Sequence, residues 1–225
     1  MEKLLKVYYC ELNEHISDSI FNSLLSYVTY EKRQIIYKYK YSIDKKLSLY
    51  SELLLRIIVS QTLHIHSNEI IIKRSKTGKP FLEQFPELEF NISHTRNAIA
   101  IALSSSTVGI DIEHIKDMDL KIAENYYTSN EYKYVVSSEF ECNQRFYEVW
   151  TRKEAYIKYT GNGLATPLNS FDVFKNKLKD QINTFIRNSY CISVCNNLDK
   201  DCIRVIEVTE RNIEEDSLLL LEKMR

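Results

Sequence analysis

Glycine is far scarcer in the chain than average usage would give. There are four, at Gly78, Gly109, Gly161 and Gly163, where average usage of about 7% would supply roughly 16. The three prolines are Pro80, Pro86 and Pro167, so collagen-like and loop-dominated low-complexity chains are excluded. The five cysteines are an odd number with no Cys-x-x-Cys pair. That argues against a disulfide framework and for free thiols in a reducing compartment, so a cytoplasmic location is expected. Cys191 and Cys195 have no histidine near them and read as strand residues, not metal ligands. Long apolar runs are missing too. The richest, Leu53-Leu54-Leu55, is cut by Arg56, so no membrane span is expected. Met1 to Lys6 lacks the apolar core of a signal peptide. Neither sign of charge is in excess: 30 basic against 31 acidic side chains leave −1. Nucleic-acid binding through bulk positive charge is thereby excluded, and a polyanionic ligand would need a local basic cluster.

What is present is a well-patterned globular chain, 44% hydrophobic. Residues 4–10 alternate as an opening strand, and helices are expected over 16–28, from Thr29 through Lys40, and over 44–63. Leu47, Tyr50, Leu54, Ile57 and Ile58 face inward in the last of these, with Lys45, Lys46 and Arg56 towards its borders. Gly78 and Pro80 force a turn with Lys79 at its tip. Strands follow at 89–94, 98–103 and 107–113, the last two joined by Ser104-Ser105-Ser106 as a hairpin loop. In the third strand Ile110 and Ile112 point one way, and Asp111 and Glu113 the other. Two carboxylates on one strand face make either an exposed acidic edge or a seat for a hard divalent cation. In the second half a helix is expected over 119–127. Thr128-Ser129-Asn130-Glu131 forms a capping box that opens another. Further strands are expected at 171–174, 182–186, 190–195 and 202–208. Each half mixes helices with an antiparallel meander, which predicts two α+β subdomains.

The 109–113 strand is expected near their junction, and the second half carries Trp150-Thr151-Arg152-Lys153-Glu154-Ala155-Tyr156-Ile157-Lys158, ended by Gly161-Asn162-Gly163-Leu164. Phe146, Val149, Trp150 and Ile157 recur at helical spacing. Glu154 and Lys158 stand one turn apart, where a solvated pair is worth about 0.2–0.5 kcal/mol.

Gly78-Lys79-Pro80, Asn91-Ile92-Ser93-His94, Gly109-Ile110-Asp111-Ile112-Glu113, Trp150-x-x-Lys153-Glu154-x-x-x-Lys158 and Gly161-x-Gly163-Leu164 follow one another in a fixed order. This order resembles the surfactin-synthetase-activating type of 4'-phosphopantetheinyl transferase. The match spans residues 78–164, with weaker likeness over most of the chain. The resemblance implies two similar, pseudo-twofold-related α+β subdomains, 1–108 and 109–225, with the active site in the cleft between them. It implies a monomeric, Mg²⁺-dependent enzyme, Mn²⁺ being an alternative. The enzyme moves phosphopantetheine from coenzyme A to a serine of an acyl or peptidyl carrier protein, serving fatty-acid, polyketide or nonribosomal peptide synthesis and releasing adenosine 3',5'-bisphosphate. Asp111, Glu113 and Glu154 would ligate the metal and Lys158 would reach the pyrophosphate. Lys79 and Pro80 would contact the adenine end, Ser93 and His94 phosphates, and Lys32 the 3'-phosphate. Glu154 is also the candidate general base.

Two departures stand out. Ile35 and Leu47 fall where basic residues facing the 3'-phosphate are expected, leaving Lys38, Lys45 and Lys46 as candidates to compensate. Asn125-Tyr126-Tyr127 replaces Arg-Phe-Phe and removes a cation near the carrier side. A degenerate module that binds coenzyme A or a carrier without turnover, and a Mg²⁺ phosphodiesterase, are the alternative readings.

Overall fold

Two long helices, each followed by an antiparallel strand pair, organise the fold. The computed structural model describes residues 5–75, 77–161, 163 and 166–222. The first half runs β1 (Leu5–Glu11), α1 (Asp18–Leu25), α2 (Tyr30–Lys38), α3 (Ser42–Leu63), β2 (Ile72–Arg74), β3 (Pro80–Leu82), β4 (Glu89–Thr95) and β5 (Ala98–Ser104). Then come β6 (Gly109–His114), α4 (Leu120–Tyr126), α5 (Ser129–Val136), α6 (Cys142–Thr160), α7 (Asn176–Gln181), β7 (Ile182–Arg187), β8 (Tyr190–Cys195), β9 (Ile203–Glu207) and α8 (Glu210–Glu222). The class is α+β, as expected.

β5 shows why the layers stack. Its residues alternate Ala and a larger aliphatic, and all are buried. Ile99, Ile101 and Leu103 pack with Leu54 and Ile58 of α3. On the other face Ala98, Ala100 and Ala102 admit Ile110, Ile112 and Ile192 of the second sheet. A third cluster sets Phe146, Val149 and Ala155 of α6 on Cys191 and Cys195 of β8.

The sheet order is β4-β5-β1-β9 in the first half, β2-β3 as a separate hairpin, and β6-β8-β7 in the second. This corrects the expected β5–β6 hairpin. Both edges of β5 are taken, by β1 and β4, so β6 crosses to pair with β8. The expected meander in the second half also loses its last strand, because β9 runs parallel to β1. The chain end thus returns to the first half, where buried Lys46 meets Glu210 at 2.6 Å and Tyr50 donates to Glu214 at 2.5 Å.

Residues 171–174 are not a strand. Side chains take their backbone groups: Lys153 donates to Phe171 O at 2.7 Å, Glu131 accepts from Val173 N at 2.9 Å, and Asp172 accepts from Phe174 N at 2.9 Å. The capping box at Thr128 and Glu131 is present as read.

All five cysteines are free, three of them buried. Burial pushes the Cys10, Cys191 and Cys195 thiols from 9.0 up to about 12, and it raises the hydroxyls of Tyr9, Tyr50 and Tyr127 as well. Above pH 9.0 the unfolded chain therefore sheds protons that the folded protein keeps. Stability contributed by these groups is complete below that pH and falls as pH rises towards about 12. Thermal midpoints measured across this range are expected to decline, and a flat profile would contradict the assignment. In the native protein only Cys142 and Cys202 are expected to react with a thiol reagent, and all five after denaturation.

Candidate functional site

The cleft is closed on one side by β4 and β6, neighbouring strands of different sheets. They are joined by side chains instead of a backbone ladder. Asn91, Ser93 and Thr95 share one face of β4 by the two-residue period of a strand. Asn91 Oδ1 accepts from Ile110 N at 2.8 Å, Ser93 Oγ donates to Asp111 Oδ1 at 2.8 Å, and Thr95 Oγ1 donates to Glu113 Oε2 at 2.9 Å.

The other side is α6, which lies so close to β6 that only glycine fits at position 109. A Cβ there would meet the Ala155 carbonyl oxygen and the Tyr159 amide nitrogen well inside contact distance. Gly161 ends the helix in the left-handed region, φ 71°, with its N–H bonded to Ile157 O, as the sequence predicts. Asn162 and Leu164 of that motif lie outside the described residues. The approach of helix to strand delivers Lys158. Its ammonium donates to Asp111 Oδ1 at 2.7 Å and to Ser93 Oγ at 2.9 Å. The expected Glu154–Lys158 pair along the helix is thus replaced by a pair across the cleft.

Asp111, Glu113 and Glu154 gather on this cleft around Lys158. Burial raises the pKa of Glu113 and of Glu154, and the charge of Asp111 raises both further. Asp111 Oδ2 is buried with no hydrogen-bond partner among the described residues, and Glu154 has none there either. Also among the described residues, no three acidic, histidine or cysteine side chains close on one point as a finished metal site. The donor set nonetheless fits a hard divalent cation: oxygen ligands only, carboxylates short of positive charge, and an orphaned buried acceptor.

Beside the carboxylates a cavity of about 220 Å³ is lined by Gly78, Lys79, Asn91, Lys158, Gly161 and Gly163 among others. Lys79 reaches Val108 O at 3.3 Å and Glu89 at 3.6 Å, and Pro80 begins β3 beside it. Lys32 stands farther along the first half, 3.6 Å from Glu52. Burial lowers its pKa, and Arg74 and Arg56 add to the lowering against Glu52. His94 points to the other face of β4, its ring partly open to solvent but crowded by its surroundings. Its pKa is lowered by desolvation first, then by Lys158 and Lys32, against Asp44.

Three basic residues differ from the sequence reading. Lys46 is fully buried, bonded to Asn13 O and His15 O as well as Glu210, and cannot stand in for a phosphate ligand. Arg56 is buried too, donating to Glu52, Ser67 O and Ile70 O. Arg74 was overlooked: it donates to Gly78 O at 2.9 Å and so pins the turn that presents Lys79. Its spacing of four residues before Gly78 was the available signal.

Lys153, inside the α6 motif, serves the scaffold. Its side chain is 1% exposed and its partner Glu131 0%, 2.8 Å apart. It also donates to Leu168 O and Phe171 O, both at 2.7 Å. Lys153→Met would strand a buried carboxylate and is expected to cost about 3–5 kcal/mol of stability by urea unfolding. Adding Glu131→Gln should recover part of that loss. A single-variant loss below about 1 kcal/mol would contradict the pair's role.

Two family models cover the chain. Residues 15–106 match "4'-phosphopantetheinyl transferase, N-terminal" and 107–211 match "4'-phosphopantetheinyl transferase superfamily". Among curated proteins, the chain is 37% identical to 4'-phosphopantetheinyl transferase gsp of Aneurinibacillus migulanus, over 80% of this chain and 75% of the relative. It is 33% identical to 4'-phosphopantetheinyl transferase ffp of Bacillus subtilis, over 75% and 76%. To 4'-phosphopantetheinyl transferase Sfp of Bacillus subtilis (strain 168) it is 30% identical over the same shares.

Proposed function

The chain belongs to the 4'-phosphopantetheinyl transferase superfamily, and from that membership we infer that the Asp111 cleft moves 4'-phosphopantetheine from coenzyme A to a carrier-protein serine. The serine oxygen bonds to the β-phosphorus of the pyrophosphate. The bond from that phosphorus to the bridging oxygen breaks, and adenosine 3',5'-bisphosphate leaves. The observation that carries this reading is Lys158 held at 2.7 Å from Asp111, with Glu113 and Glu154 beside them.

Asp111 Oδ2, Glu113 and Glu154 are the groups we assign to a divalent cation, Mg²⁺ or Mn²⁺, which when bound would neutralise charge on the phosphate oxygens. Lys158 exchanges Asp111 for the pyrophosphate and counters the charge that builds on the leaving group. Ser93 holds Lys158 and Asp111 in register while they do so. Glu154, half-buried and without a hydrogen-bond partner among the described residues, takes the serine proton, directly or through water. Lys79 and Pro80 flank the cavity that receives the adenine end. Lys32, supported by Arg74, faces the 3'-phosphate. His94, whose pKa is lowered by burial and then by Lys158 and Lys32, offers a hydrogen bond to phosphate. The five free thiols support a reducing, cytoplasmic setting.

The test is incubation with a fluorescent coenzyme A, Mg²⁺ and an apo carrier protein. Covalent label on the carrier, lost on chelation of the cation, is expected. Coenzyme A binding without label on any of several carriers would favour a binding module. Hydrolysis of coenzyme A without a carrier would favour a phosphodiesterase.

A further inference from the structure

Three side chains of β4 reach across to β6. Asn91 Oδ1 takes the Ile110 amide, and Ser93 Oγ sits between Lys158 and Asp111. The third, Thr95, turns its hydroxyl on a carboxylate and donates to Glu113 Oε2 at 2.9 Å. Glu113 needs such a hold more than Asp111 does. Asp111 is buried, and its Oδ1 accepts from both Ser93 and Lys158. Glu113 is half-buried and one methylene longer, and its carboxylate accepts from Thr95 alone among the described residues. The two acids share one strand face about 7 Å apart along the chain, and like charges so placed repel. Left to itself, the longer side chain would relax outward into water. Thr95 opposes that.

Thr95 is itself well anchored. It closes β4, paired with Ala98 across a two-residue turn, and Ala98 pairs in turn with Glu11 of β1. Leu12 N donates to Asn97 O at 2.7 Å, which ties the turn down. A β-branched side chain on so fixed a backbone has few rotamers open to it, so Oγ1 is a steady reference point. The bond also takes one particular oxygen. With Oε2 held, Glu113 keeps Oε1 for another partner, as Asp111 keeps Oδ2.

On the reading that Glu113 is one of the cation's ligands, we propose that Thr95 is a positioning residue of the cleft. Its hydroxyl presents Glu113 Oε1 to a divalent cation and keeps the carboxylate from turning out to solvent. Groups that hydrogen-bond a ligating carboxylate orient it in metal sites generally, and their loss weakens metal affinity by about ten- to a hundredfold.

The experiment is Mn²⁺ titration of the full chain, followed by electron paramagnetic resonance of the free ion. Coenzyme A is present at a fixed concentration, and its own uptake of Mn²⁺ is subtracted. Thr95→Val keeps the shape and the β-branching but removes the hydroxyl, and it is expected to weaken Mn²⁺ binding by about tenfold or more. Thr95→Ser keeps the hydroxyl and should bind close to the parent. The Mg²⁺ concentration that gives half-maximal carrier labelling should rise for Thr95→Val and not for Thr95→Ser. Glu113→Gln is the reference. If Thr95→Val binds Mn²⁺ as the parent does while Glu113→Gln binds poorly, Thr95 has no such role and the ligand assignment stands. If Thr95→Ser is as weak as Thr95→Val, the loss comes from packing and the proposal fails. If Glu113→Gln binds like the parent, Glu113 is no ligand, and the reading of the cleft fails with the proposal.

Discussion

Asp111→Asn is expected to lower carrier labelling by about a thousandfold, or about 4 kcal/mol of barrier. The variant keeps the volume of the side chain, and Asn Oδ1 can still accept from Ser93 and Lys158. What it removes is the charge opposite Lys158 and the second acceptor oxygen, the one with no protein partner. The Asp111 side chain is only 7% exposed, so an ionised group has been replaced by a neutral one at a desolvated position. Glu113 and Glu154 remain to balance the partly exposed Lys158, and the repulsion Asp111 exerts on both is relieved, so the thermal midpoint is expected to stay level or rise. This split between activity and stability separates a reacting carboxylate from a structural one. Labelling at more than about a tenth of the parent rate, with the midpoint unchanged, would remove Asp111 from the chemistry.

Gly109→Ala should damage fold and activity together. The added methyl has backbone on its far side, including Tyr159 Cα at 2.9 Å, so no side chain can swing away to make room. α6 must retreat from β6. Overpacking of this kind costs about 1–3 kcal/mol and sometimes more, which for a chain of this size lowers the thermal midpoint by roughly 2–4 °C per kcal/mol. The same retreat draws Lys158 and Glu154 away from Asp111, and misplacement by about 1 Å can cost a hundredfold in rate. Gly78→Ala is the contrast: a Cβ there meets nothing within 4 Å, although φ 86° strains it. If Gly109→Ala labels carrier normally and melts with the parent, helix–strand contact does not set the geometry of the cleft.

Much of this was readable before any coordinates. The period of α3 and α6, the Thr128 capping box and the left-handed stop at Gly161 are local, and local physics writes them into neighbouring residues. Asp111 and Glu113 were legible as a pair because strand geometry puts alternate residues on one face. The buried lysines were not. Lys46 and Lys153 are spelled like solvated surface residues, and only partners 164 and 22 positions away, Glu210 and Glu131, make their burial tolerable. Residues 171–174 misled for the same reason, since two of their backbone partners, Lys153 and Glu131, are side chains from distant elements. The β5–β6 hairpin was plausible from its serine loop, but loop chemistry carries no information about whether a strand's other edge is already occupied.

The return of β9 and α8 to the first half has a consequence for the order of events at the ribosome. When residues 1–108 have emerged, β1 still lacks the neighbour that β9 will supply, and Lys46 still lacks Glu210. Neither arrives until about a hundred further residues have been made. Synthesis therefore runs ahead of structure: the nascent first half must wait, with an open sheet edge and an uncompensated ammonium, for residues 203–210 to close it.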